Sequence, residues 1–184
     1  MALGDRFASV LTAARAGSES AWAALYHEFA PPVLTYLRSQ QAADPEDLTG
    51  EIFLQVVRNL DRFSGDERGF RAWTFTIAHN RLLDERRREA RRPVTPVPEE
   101  QLDRVTPGDI ERDVFREFAA ERVTRLMAHL SADQRTVLFL RIFGDLTVEQ
   151  VADVIGKRPG AVKALQHRGL AAIRKAIERE GVPL

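Results

Sequence analysis

Apolar residues in this chain recur almost everywhere at spacings of three or four, and no stretch alternates apolar with polar as a half-buried strand does. That regularity confines the fold to the all-α class. Trp22, Leu25, Phe29, Val33 and Leu37 fall on one helical face. Pro31 and Pro32 lie within that run, and because proline lacks the amide hydrogen a helix interior needs, a kink or break is expected near Phe29. A better-marked helix follows. Asp44 suits an N-cap, Pro45 suits the first helical position, and Leu48, Ile52, Val56 and Leu60 supply the buried stripe. Phe63 to Gly69 reads FSGDERG, the glycines and small polar residues of a loop, after which a long helix opens at Phe70 and runs into an arginine cluster ending before Pro93.

From Pro93 to about Asp113 the composition changes. Pro93, Pro96, Pro98 and Pro107 stand among Glu99, Glu100, Asp103, Asp109, Glu111 and Asp113, with few apolar residues between them. Such a segment reads as a flexible acidic linker. It divides the chain into two small helical domains, residues 1–92 and 114–184, with 93–113 between them. The second opens on an apolar helix carrying Val114, Phe118, Val123, Leu126, Met127 and Leu130. Ser131 with Gln134, and Thr147 with Gln150, have the spacing of capping boxes, so two further helices start there.

The text after Thr147 is TVEQVADVIGKRPGAVKALQHRGLAAIRKAI. Val148, Val151, Ala152 and Ile155 make a short one-faced helix, Gly156 supplies a tight turn, and Pro159 sits where a new helix takes its first residue. Together these form a helix-turn-helix. In its second helix Val162, Leu165, Gly169, Leu170, Ile173 and Ile177 fall on the packing side, leaving Lys163, Ala164, His167, Arg168 and Arg174 outward. Such a helix fits a major groove, and the same pattern also fits a helical hairpin with a solvated basic face.

Charge separates the two readings. Lys and Arg number 27, as do Asp and Glu, so the net charge is zero. The distribution is uneven, with bases concentrated from Arg71 to Arg92 and from Lys157 to Arg179. Paired basic stretches in helices point to nucleic acid. Other classes find little support. No cysteine is available for a thiolate metal site or nucleophile, and His27, His79, His129 and His167 are scattered. With no glycine-rich phosphate loop and no carboxylate–histidine cluster of metal spacing, neither catalysis nor a cofactor is expected. No apolar run approaches the roughly 20 residues that span a bilayer, and the start lacks the pattern of a secretory signal, so no membrane insertion and a cytoplasmic location are expected.

The stretch DPEDLTGEIFLQVVRNLDRF, followed by FRAWTFTIAHNRLLDERRREARR, closely resembles the region-two domain of extracytoplasmic-function (group IV) sigma factors of the sigma-70 family. LSADQRTVLFLRIFGDLT through GAVKALQHRG resembles their region-four domain. The resemblance covers nearly the whole chain in the family's order. It implies a factor that binds core RNA polymerase, recognises the −10 and −35 promoter elements, promotes melting, and answers to an anti-sigma factor. By position, Asp47, Gly50, Glu51 and Leu54 would dock core polymerase, with Gly50 standing where a glutamine is usual. Phe63, Ser64 and Gly65 would belong to a loop that captures a flipped −10 base, and Trp73, Thr76, Asn80, Asp84 and Arg87 would face the melted −10 strand. Arg86, Arg88, Arg91 and Arg168 would contact phosphates, and Arg158, Lys163, Ala164 and His167 the −35 duplex. Phe70 is expected in the core, and Trp73 fits either core or base. From the residues alone, a stand-alone helix-turn-helix regulator is the rival.

Overall fold

The computed structural model describes residues 3–91, 127 and 129–179. The expected linker lies outside them, as does the helix expected from Val114, apart from Met127, His129 and Leu130. Among the described residues there are seven α-helices and no strand: α1 (Phe7–Arg15), α2 (Glu19–Ser39), α3 (Pro45–Asn59), α4 (Glu67–Arg91), α5 (Ala132–Ile142), α6 (Val148–Ile155) and α7 (Pro159–Arg179). Short 3-10 turns, Gly4–Arg6 and Leu60–Arg62, precede α1 and follow α3.

Of the two outcomes expected at the proline pair, a kink or a break, the break does not occur. The helix runs unbroken from Glu19 to Ser39, because Leu25, Phe29, Val33, Tyr36 and Leu37 are buried on both sides of Pro31 and Pro32. The prolines remove two amide donors, and packing on either side outweighs that loss. α2 ends in a Schellman arrangement, in which the amides of Gln41 and Ala42 donate to the carbonyls of Arg38 (3.0 Å) and Leu37 (3.1 Å). Gln41 takes the left-handed position at φ 60°, where glycine is the usual occupant. α3 starts as the sequence suggests, with the Asp44 carboxylate accepting from the Asp47 amide at 3.0 Å. α4 begins at Glu67, three residues ahead of Phe70, because Asp66 caps it by accepting from the Gly69 amide at 2.7 Å.

Aromatic rings fill the floor beneath these helices. Phe70 is fully buried and lies 4.9 Å from Phe29, 5.1 Å from Phe63 and 5.6 Å from Phe7. In the C-terminal part both capping boxes form, at Ser131/Gln134 and Thr147/Gln150. Gly156 adopts φ 63° to turn the chain into α7. α7 presses on α5 at Gly169, where an added Cβ would come 2.8 Å from the Leu138 side chain. That contact centres the packed face on Val162, Leu165, Gly169 and Ala176, and it leaves Leu170, expected inside, 44% exposed.

The two helical groups meet along one seam, with α6 against α4 and α5 against α2. A ring contact crosses it, Tyr36 to Phe139 at 5.4 Å, and Tyr36 is backed on its own side by Phe75 at 5.8 Å. Polar groups join at the same place. The Tyr36 hydroxyl bonds His79 Nδ1 at 2.8 Å, the Thr136 hydroxyl donates to Gln40 Oε1 at 3.3 Å, and Arg135 donates to the Ser39 carbonyl at 3.4 Å. Burial raises the Tyr36 hydroxyl above the usual tyrosine range. Burial also lowers the His79 imidazole, reinforced by the positive charges of Arg86 and Lys157 and opposed by Asp133.

Two outcomes follow from this packing. Gln41→Gly should raise stability by about 1 kcal/mol, read from denaturant midpoints, by relieving the left-handed strain. For His79 the folded value lies below the ordinary 6.5, so neutral imidazole is favoured in the seam. Its contribution is complete above that value and is lost as pH falls through and below it. Thermal melts between about pH 7.5 and about pH 5.5 should show a destabilisation that is smaller in His79→Gln, which cannot titrate; equal pH dependence in both proteins would refute the assignment.

Candidate functional site

Three surfaces remain open on this framework. The first lies on α3, where Asp47, Glu51 and Leu54 are exposed and Leu54 reaches 57%. Their spacing of four and three residues keeps them on one face, opposite buried Ile52 and Val56. Gly50 shares the face, and a Cβ built there meets nothing within 4 Å. Glu51 is not a free acid, because Arg81 of α4 pairs with it at 2.5 Å. Asp44, Asp47, Glu51, Arg81, Glu85 and Arg88 line a cleft between α3 and α4. Within it the Glu85 carboxyl is raised, first by desolvation and then by Glu89. Tyr26 and Val57, 46% exposed each, extend the apolar part of the surface, with the Tyr26 ring 5.0 Å from Phe53. Neither was among the sequence candidates. Val57, three residues beyond Leu54, was readable from spacing, whereas Tyr26 depends on how α2 docks.

The second surface begins at the loop before α4. Ser64 and Gly65 are exposed at its tip. Among the described residues neither takes a protein hydrogen bond. Phe63 differs from its loop neighbours, being 8% exposed with its ring stacked on Trp73 at 5.3 Å and edge-on to Phe70. Its ring therefore belongs to the floor beneath the tip, a correction to its expected place in the binding loop. Phe70 is core, as its position suggested. Trp73 is half-buried and combines both expected characters, one ring face being taken by Phe63.

Along α4, Trp73, Thr76, Asn80, Asp84 and Arg87 follow a three-four spacing and share the side that the helical neighbours leave open. Asn80, Asp84 and Arg87 are exposed, while Thr76 is half-buried and bonds the Ala72 carbonyl at 2.9 Å. Asp84 and Arg87 pair with each other at 3.0 Å. Of the arginines expected on phosphates, Arg88 and Arg91 are exposed. Arg86 is not available in the same way. Its guanidinium donates to the Gln40 carbonyl at 2.5 Å and helps close the end of α2. Sequence spacing could not separate it from its neighbours in an unbroken arginine run.

The third surface is the outer side of the helix-turn-helix. Arg158, Lys163, Ala164, His167 and Arg168 are all exposed, and the buried residues of α7 lie on its other side. The first three turns of the helix present a lysine, a small residue and an imidazole on one side, flanked by guanidinium groups, an arrangement with the dimensions of a major groove. No His, Asp and Glu grouping suited to a metal ion occurs among the described residues, and no helix there is long and apolar enough to cross a membrane.

Comparisons with known proteins give the family. Residues 25–92 match the family model for Sigma-70 region 2, and residues 120–173 the model for Sigma-70, region 4. The chain is 33% identical over 160 residues to the ECF RNA polymerase sigma factor ShbA of Streptomyces griseus, covering 81% of this chain and 83% of that protein. It is 29% identical to the ECF RNA polymerase sigma factor SigL of Mycobacterium tuberculosis, covering 94% and 97%. In fold it resembles CnrH, solved in complex with the cytosolic domain of CnrY, at a TM-score of 0.65, 21% identity, and coverage of 95% and 99%. With two region matches in order and a relative this similar over most of both lengths, the chain belongs to the extracytoplasmic-function sigma factors of the sigma-70 family, the RNA polymerase subunits that direct transcription initiation.

Proposed function

We propose that the three surfaces divide the work of a sigma factor. The acidic and apolar face of α3, with Asp47, Gly50, Glu51 and Leu54, docks core polymerase. Ser64 and Gly65 capture a flipped −10 base, and Trp73, Thr76, Asn80, Asp84 and Arg87 hold the melted −10 strand. Arg88, Arg91 and Arg168 take phosphates, and Arg158, Lys163, Ala164 and His167 read the −35 duplex. On this reading the domains are residues 1–92 and 114–184, joined by 93–113, and the factor works in the cytoplasm without catalysing a reaction itself. An anti-sigma factor is the further partner that the family membership suggests.

One observation carries the reading. α4 is packed by α2, α3 and α6, and its remaining side runs from an unbonded loop tip past Asn80 to exposed arginines. Unstacking a base costs a few kcal/mol, so a melting surface needs polar and aromatic groups free to hold that base. A side chain such as Asn80 offers a donor and an acceptor together. Arginines beyond it add salt-sensitive affinity without sequence information.

Run-off transcription with purified core polymerase on a genomic promoter pool, read by start-site mapping, tests the assignment. Asn80→Ala should lower open-complex yield about tenfold at unchanged core affinity, the loss expected from a positioned polar contact. Arg88→Ala and Arg91→Ala should each lower the salt slope of promoter binding by about 1. Failure of the wild-type protein to open any promoter would refute the proposal. Gly50→Gln should raise thermal stability by up to about 1 kcal/mol and tighten core binding, since the helix gains a better former in open space. A weakened complex would exclude Gly50 from the docking face.

A further inference from the structure

The loop at the second surface is held from a part of the chain that lies outside the matched region-two segment. Arg15, the last residue of α1, sends its guanidinium to both ends of the turn leading into the loop. Its Nε and Nη2 donate to the Leu60 carbonyl at 3.4 and 3.3 Å, and Nη2 also donates to the Phe63 carbonyl. Leu60 opens the 3-10 turn that follows α3, and Phe63 is the last anchored residue before the Ser64–Gly65 tip. One planar cation therefore fixes where the tip departs. The N-terminal segment adds a second hold. The amides of Leu3 and Gly4 donate to the Glu67 carboxylate at 3.1 and 2.7 Å, and Arg71 lies 3.7 Å from Glu67 and 3.4 Å from Glu28.

The tip itself is left without internal support. Gly65 takes φ 148°, and an added Cβ would lie 3.2 Å from the Phe63 ring, so the backbone crosses close over a floor that is already filled. Its approach angle is thus set from below by Phe63 and from the side by Arg15. Small misplacements of a binding group are costly when the bound geometry must be pre-formed, and a carbonyl held at two points is pre-formed.

We propose that Arg15 is a positioning residue for promoter opening: it contacts no DNA, and by clamping the Leu60 and Phe63 carbonyls it holds the Ser64–Gly65 tip in the geometry that receives an unstacked base. The proposal rests on the reading of that tip as the base-capturing element. A lysine keeps the charge but cannot donate to two carbonyls through a rigid fork, so it substitutes incompletely.

The test combines changes in protein and DNA. Holoenzymes carrying wild type, Arg15→Lys or Arg15→Ala are compared on a promoter found by start-site mapping, and on versions in which each −10 position is made abasic in turn. Opening is followed by a fluorescent base analogue, and core affinity is measured alongside. Arg15→Ala is expected to open the intact promoter about tenfold less well at unchanged core affinity, with Arg15→Lys between it and wild type. On the template abasic at the captured position, wild type falls to the level of Arg15→Ala and the difference disappears. A penalty of the same size on every template overturns the positioning role, as does loss of core affinity in Arg15→Lys, which would make the arginine a general stabiliser. If no abasic position costs the wild type anything, the base-capture reading itself fails, a result separable from the other two.

Discussion

The burial of Tyr36 is the constraint around which the described structure is arranged. Its ring is fully enclosed between Phe75 of α4 and Phe139 of α5, and its hydroxyl must find a partner there, which His79 provides. A buried hydroxyl without a partner costs about 1–3 kcal/mol, so the bond to His79 favours the rotation of α4 that brings the imidazole to Tyr36. Once α4 is fixed in this way, Phe70, Thr74, Ala78 and Leu82 point inward, and the side bearing Asn80 and Asp84 is left to solvent. The open side therefore follows from the interior.

Much of this was legible in the sequence wherever a local rule decides. The Asp44 cap, both capping boxes, the Gly156 turn and the start of α7 at Pro159 depend on residues within a turn of each other. The exposed candidates on α3 and α7 were legible for a related reason, since each helix buries one stripe and the opposite side follows by subtraction. α4 resists that reading. It is packed by helices from both halves of the chain, so its buried residues spread around much of its circumference and no single stripe stands out.

The departures from expectation share a cause. α2 stays whole across Pro31 and Pro32, Arg86 turns to the Gln40 carbonyl, Phe63 sinks beneath the loop, and Leu170 is exposed. In each case a residue of a distant element decides the outcome. Val33 and Tyr36 are held by neighbours the local sequence does not contain, Arg86 reaches 46 positions back, and Phe63 is fixed by Trp73 and Phe70 together. Local pattern names the helix and its polar side, whereas tertiary packing selects which polar residues on that side are spent internally.

The seam between the two halves adds polar bonds to the apolar packing it shares with their interiors. Buried apolar residues of both halves join in one cluster across it, the Tyr36 ring meets Phe139, Thr136 and Arg135 bond Gln40 and the Ser39 carbonyl, and Gln40, although 1% exposed, keeps an amide nitrogen without a partner. Hydrogen bonds of this sort each contribute about 0.5–1.5 kcal/mol net, and an unpaired buried amide costs about 1–3 kcal/mol. Its polar share sets it apart from the Phe29–Phe70 floor, as contacts between domains often are set apart, although the apolar cluster is continuous through it. The distinction matters for a sigma factor. If α4 and α7 each take their own promoter element, roughly 25 base pairs apart by name, the duplex separates them by about 85 Å at about 3.4 Å per pair. The chain between Arg91 and Met127, at up to about 3.3 Å per residue, is long enough to allow that separation. Separation on that scale exposes the apolar residues of the seam as well as breaking its polar bonds, so contacts with polymerase and promoter must offset both.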